Sequence, residues 1–66
     1  MNRKNLITLG DKIRARRRAL DISQSKFAKL MGRTQPWVSQ IESEYLSPSE
    51  EDLKKINRIL NADFKK

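Results

Sequence analysis

The segment SQSKFAKLMGRTQPWVSQIE, residues 23–42, decides the fold because it contains the start and stop signals of two short helices. Ser23 is a good N-cap, since its hydroxyl can accept a hydrogen bond from an unpaired N–H group of a first helical turn. It predicts a helix over residues 24–31. Gly32 then ends that helix, because glycine readily adopts the left-handed conformation required just past a helix end.

A further helix is predicted from Thr34 to about Ser43. Pro36 lacks an N–H and therefore belongs in the first turn of this helix. Because a proline also disfavours helical geometry in the residue before it, the helix could instead start at Gln35 or Pro36. The two helices and their short glycine turn make a helix-turn-helix.

Two more helices flank this pair. Residues 9–20 can be capped by Thr8, and their apolar side chains at Leu9, Ile13 and Leu20 share one helical face. Residues 49–60 begin with a predicted Ser49–Asp52 capping box and acidic side chains that suit a helix N-terminus. The predicted buried face of this last helix consists of Leu53, Ile56 and Leu60, and Phe64 is expected to close the core.

The sequence therefore predicts an all-α fold, a compact bundle of four to five helices. Sixty-six residues make one domain at most, so we expect a single domain over residues 1–66 with its core at about residues 6–64. With no cysteine and no histidine, disulfides, thiolate metal sites and the commonest general base are excluded. We expect no enzyme activity, no cofactor and no metal. We expect a cytoplasmic location, because no membrane span or signal peptide is visible.

The charge of the chain is unevenly distributed. Residues 1–40 carry ten Lys and Arg against two Asp, net +8, whereas residues 41–66 carry five basic and six acidic side chains, net −1. Such a bias indicates that the first two-thirds of the chain face a polyanion.

The spacing Ala-x3-Gly-x5-Val at Ala28, Gly32 and Val38 resembles the lambdoid phage repressor and Cro family, also called the Xre-like helix-turn-helix family. The likeness extends to LGDKIRARR before the segment and to SPSEEDLKKINRIL after it, and it covers about residues 9–62. It implies a lambda repressor-like DNA-binding domain whose recognition helix, residues 34–43, enters the DNA major groove.

Glutamines on such a helix suit base reading, because an amide offers one donor and one acceptor to adenine N6 and N7. We expect Gln35 and Gln40 to read bases, and the secondary base contacts to be Thr34, Ser39 and Ser43.

Contacts to the DNA backbone are expected from Gln24, as the resemblance implies, from Arg33 in the turn, and from Trp37. The indole N–H of Trp37 could donate to a phosphate, or its ring could pack on a sugar of the DNA or instead on the core of the protein. Further cationic candidates, whose orientation the sequence leaves open, are Arg14, Arg18, Lys26 and Lys29.

The resemblance assigns Arg17 and Glu42 a structural salt bridge rather than a DNA contact. The chain departs from the family where a glycine usually follows the position of Glu42, so that Glu44 or Tyr45 must turn the chain. The usual fifth, dimer-forming helix is not visible, and the expected dimer contacts are Tyr45, Leu46 and Pro48.

We therefore predict a transcription regulator that binds a double-stranded DNA operator as a homodimer, weak off DNA. It would be a repressor or controller of a small mobile-element operon of a prokaryote or phage, and no small-molecule ligand is expected. The alternative is an antitoxin that masks a toxin with its acidic C-terminal third and also binds DNA. A basic membrane-surface segment would fit residues 9–20 but leaves the glycine-turn spacing unexplained.

Overall fold

The computed structural model describes residues 7–65. Within this range it contains four α-helices and no strand: α1 Leu9–Ala19, α2 Gln24–Met31, α3 Gln35–Glu42 and α4 Glu50–Leu60. The predicted all-α class is confirmed, with four helices in the described range. Leu6, where the predicted core begins, lies outside the described residues.

The predicted N-caps Thr8, Ser23 and Ser49 all cap their helices, but the capping box expected at α4 is incomplete. Thr8 forms a full capping box with Asp11, whose carboxylate accepts the Thr8 N–H in return. Ser49 accepts the Asp52 N–H at 3.1 Å, but the Asp52 carboxylate binds Arg33. The capping box predicted at α4 is therefore only half formed, because a cation from another part of the chain takes the carboxylate.

Each of the four helices is followed by a residue in the left-handed conformation. In every case the next N–H donates to a carbonyl five residues back, which satisfies helix-end carbonyls in the manner of a Schellman motif. After α2 the residue in this conformation is a glycine, whereas after α1 and α3 it is an aspartate and a glutamate. The four residues are Asp21 (φ 62°), Gly32 (φ 73°), Glu44 (φ 68°) and Asn61 (φ 53°).

The core lies where the four helices meet. Full burial of one large apolar side chain stabilises a fold by about 1.5–3 kcal/mol. Leu20 was predicted to lie on the buried face of α1, and this prediction is wrong, since 38% of Leu20 is exposed. Because α1 ends before Leu20, this side chain turns outward, and Ile22 packs on the core instead. Phe64 packs against the core as predicted, and the buried apolar residues are Ile13, Phe27, Ala28, Met31, Val38, Ile41, Leu53, Ile56 and Leu60.

Gly10 allows α1 to touch the end of α3. A Cβ atom on this buried glycine would lie 2.6 Å from the Ile41 carbonyl oxygen and closer still to that of Glu42. The Gly10 N–H also donates to the Glu44 carboxylate at 2.6 Å. Backbone contact and hydrogen bond together fix the C-terminal end of α3 against the N-terminus of α1.

Candidate nucleic-acid interface

The α2–α3 pair is positioned by small and turning residues. Ser23 caps α2, and Ala28 is 2% exposed in the core beneath the pair. Gly32 reverses the chain in the left-handed conformation, and the Arg33 N–H closes the helix end on the Ala28 carbonyl at 2.8 Å. Val38 anchors α3 in the core at 0% exposure.

The opposite face of α3 is uncharged. Gln35 and Ser39 are exposed and Gln40 is half-buried, so these side chains share the outer face of one short helix. Thr34 and Ser43 are exposed too, but they flank the helix rather than lie in it. Thr34 makes no side-chain capping bond, and the Ser43 hydroxyl donates to the Gln40 carbonyl at 3.3 Å.

Arg17 and Glu42 form an ion pair beneath this face. Arg17 donates through Nε to Glu42 Oε2 at 2.7 Å and through a terminal nitrogen to Oε1 at 3.1 Å. The two side chains are 8% and 2% exposed. Arg17 also donates to the Ile22 carbonyl at 2.7 Å. The pair thus ties α1 to the end of α3 and to the α1–α2 connection.

A chain of hydrogen bonds runs from this ion pair to the outer face. Gln24 Nε2 donates to Glu42 Oε1 at 3.0 Å, and Gln35 Nε2 donates to Gln24 Oε1 at 2.6 Å. Because an ionised carboxylate can only accept, the amide of Gln24 must direct its nitrogen to Glu42 and its oxygen to Gln35. Gln35 is left with its carbonyl oxygen and one N–H for a further partner.

Arg33 does not stand free in the turn. It donates to both carboxylate oxygens of Asp52, at 2.9 and 3.2 Å, and its guanidinium carbon lies 4.7 Å from the centre of the Trp37 ring. Trp37 is half-buried against the core. The ring therefore packs on the core, with the Arg33 guanidinium over it, and a contact of Trp37 with DNA stays a prediction.

Several other cations are engaged within the protein. Arg16 donates to the carbonyls of Leu60 and Asn61 at 2.9 and 3.4 Å, and so caps the end of α4. Arg14 pairs with Asp11 one turn earlier in α1. Besides Arg14, the exposed basic side chains on α1 and α2 are Lys12, Arg18, Lys26 and Lys29.

The loop between α3 and α4 exposes part of the expected dimer surface. Tyr45 is 78% exposed and Leu46 39%, whereas Pro48 is buried. Pro48 lies just before Ser49, the N-cap of α4. Because it is buried, it is not available on the surface for contact with a second copy.

Two site features were not predicted from the sequence. The partnership of Asp52 with Arg33 joins residues 19 positions apart, and no local pattern signals it. The cap that Arg16 provides at α4 joins residues 44 apart. In the sequence, Arg16 lies three residues after Ile13 and so borders the apolar face of α1, which was the available sign that its charge would be used internally.

Across the part of the chain that the structure describes, no helix has both the length and the apolar character needed to cross a membrane. Residues 7–65 also hold no group of three or more carboxylate, histidine or cysteine side chains arranged to bind a metal ion.

A comparison with protein families matches residues 13–66 to the family model HTH_3, described as a helix-turn-helix. No curated protein and no solved structure gives a significant match. The matched range contains the last part of α1 and all of α2, α3 and α4, so it includes every residue of the hydrogen-bond chain from Arg17 to Gln35.

Proposed function

Because the chain belongs to the Cro/C1-type helix-turn-helix family of DNA-binding domains, we propose that it is a sequence-specific transcription regulator that reads an operator through α3. The observation that supports this most directly is the chain of hydrogen bonds ending at Gln35. It leaves the amide of Gln35 with one acceptor and one donor on an exposed, uncharged helix face.

An acceptor and a donor in one plane match the N6 and N7 edge of adenine in the major groove. Gln24 fixes which way round the Gln35 amide lies, because Glu42 fixes Gln24. Gln40 is the second proposed base reader, and Ser39 lies beside both on the same face. Secondary base contacts are proposed at the flanks of α3, from Thr34 and Ser43.

The backbone of the duplex would be held around this face. Gln24 starts α2, and helix N-termini favour phosphate. Its second amide N–H and the exposed cations of α1 and α2 are the proposed phosphate donors. Arg33 and the indole N–H of Trp37 are proposed to join them at the turn, on the side where α3 begins.

A single eight-residue helix reads few base pairs, so we propose that two copies act together. Related by a two-fold axis, they would read half-sites about 34 Å apart. The exposed Tyr45 and Leu46 support a contact between copies through the α3–α4 loop.

Binding across a promoter would block transcription. A reporter gene placed behind the selected site tests whether the protein represses or activates.

Selection of bound sites from a pool of random duplexes tests the proposed function. We expect enrichment of a two-fold symmetric sequence with half-sites about 10 base pairs apart, centre to centre. A pool that stays random after repeated rounds, although the protein retains DNA, would overturn sequence-specific reading. A sequence with one unrepeated half-site would overturn the homodimer.

A further inference from the structure

The ion pair between Arg33 and Asp52 joins the helix-turn-helix to α4. Arg33 lies between α2 and α3, directly before the flank of the recognition helix, and Asp52 lies in the first turn of α4. The Arg33 side chain is 42% exposed and that of Asp52 19%. A cation at the proposed DNA face is therefore held by a carboxylate from outside the motif.

Asp52 is well held in place. Ser49 accepts its N–H at 3.1 Å, and the N-terminus of a helix favours a negative side chain in its first turn. The Arg33 guanidinium also lies over the Trp37 ring, with its central carbon 4.7 Å from the ring centre, and this contact restrains it further. Arg33 thus has a preferred position across Trp37, in which Asp52 neutralises its charge.

We propose that Asp52 lowers the affinity of the protein for DNA by competing with phosphate for Arg33. This inference rests on the proposed function. An ion pair in which one side chain is nearly half exposed is weak, so an approaching phosphate can displace the carboxylate and form the same charge-assisted hydrogen bonds. Binding then proceeds at the expense of the existing ion pair, and Arg33 adds less to affinity than an unpaired arginine would.

The test compares two variants that remove the same charge from the same turn. Asp52→Asn releases Arg33, whereas Glu51→Gln removes an exposed carboxylate from the neighbouring position and measures the long-range effect of charge alone. We expect Asp52→Asn to bind both a selected and a scrambled duplex about 3- to 10-fold more tightly than Glu51→Gln does, the equivalent of one more charge-assisted contact.

The salt dependence provides a second readout. If Arg33 of each copy gains a phosphate, the slope of log K against log salt should steepen by about 0.9 per copy in Asp52→Asn relative to Glu51→Gln. A change of fold stability alone would not alter this slope. Asp52→Ser, which keeps a short polar side chain near the start of α4, is measured beside it so that the result does not depend on one variant folding.

The same comparison in an Arg33→Gln background completes the test. There Asp52→Asn and Glu51→Gln should bind equally, because no guanidinium is left to release. Equal affinities and slopes of the two variants in the wild-type background would overturn the inference while leaving the proposed function intact. A persistent difference in the Arg33→Gln background would also overturn it. If no variant binds any duplex, the proposed function fails together with this inference.

Discussion

At the scale of single residues, Arg17 and Arg14 offer a matched pair. Both lie in α1 and both pair with a carboxylate, but the Arg17–Glu42 side chains are 8% and 2% exposed, whereas those of Arg14 and Asp11 are 46% and 41% exposed. Removing one partner of a buried pair leaves an uncompensated charge, which costs about 3–5 kcal/mol, while an exposed pair contributes about 0–1 kcal/mol.

We therefore expect Arg17→Ala to lower the free energy of unfolding by about 3–5 kcal/mol and Arg14→Ala by less than about 1 kcal/mol, measured by urea denaturation. Coinciding denaturation curves for the two variants would show that the pair does not hold α1 to α3.

Gln35→Ala tests base reading at one side chain. The variant should lose about 1–3 kcal/mol of binding free energy on the selected duplex and much less on a scrambled duplex, because phosphate contacts are untouched. Equilibrium titration of both duplexes at one salt concentration measures the difference. Equal losses on the two duplexes would mean that Gln35 reads no base.

The direction of the Gln35 amide could not be derived from the sequence. Gln35 and Gln40 were predicted from the chemistry of amides on an uncharged helix, and that reasoning needs no three-dimensional contact. The bond from Gln35 to Gln24 joins residues 11 apart, and Gln24 in turn depends on Glu42. Their geometry exists only after α2 and α3 have packed.

At the scale of the helices, two glycines serve different purposes. Gly32 has a φ of +73° and open space around it, with Lys55 Nζ 3.9 Å from an added Cβ. Gly10 is not in the left-handed conformation, but a Cβ atom added to it would lie 2.6 Å or less from backbone oxygens of α3. Substitution of Gly32 strains its own backbone, whereas substitution of Gly10 forces α1 and α3 apart.

We expect Gly32→Ala to cost about 1–2 kcal/mol of folding stability, the usual penalty of a left-handed conformation with a Cβ. Gly32→Asn should recover part of this loss, since asparagine tolerates that conformation. Gly10→Ala should cost about 1–3 kcal/mol through overpacking, and Gly10→Asn at least as much. Thermal melts of the four variants check this, and rescue of Gly10 by asparagine would contradict the proposed reason.

The helices themselves were largely predictable because their start and stop signals are local. Ser23, Gly32 and Asn61 act within one turn of the helix end they define. The errors arose where distant residues intervene. Asp52 binds Arg33 rather than completing its capping box, and Pro48 is buried although it was expected on the dimer surface.

At the scale of the whole molecule, the number of cations that can meet phosphate sets how strongly DNA binding depends on salt. The first 40 residues carry net +8, and if half of these charges met phosphate, each copy would make about four phosphate contacts and a dimer would show a slope near −7. Arg16 and Arg17 are bound within the fold, and Arg33 is paired with Asp52. With Arg18, Lys26 and Lys29 exposed on each copy, the slope should be roughly −5 to −7.

Titration across a range of salt concentrations, with the stoichiometry determined on the same duplex, measures this prediction. Two copies should occupy the full site. A slope shallower than about −3, or one copy on the full site, would contradict the model of paired recognition helices.

Tyr45→Ser should weaken binding of the second copy if the α3–α4 loop forms the contact between copies. The substitution removes the most exposed large apolar side chain of that loop.

The central claim is that α3 reads base sequence, and the ratio of two affinities tests it most directly. The affinity for the selected duplex is divided by the affinity for a scrambled duplex of equal length and composition, at about 0.15 M salt. We predict a ratio of about 10³ or more, as specific DNA-binding proteins show. A ratio close to 1 would mean that the protein binds DNA through its charge alone, and it would contradict the account.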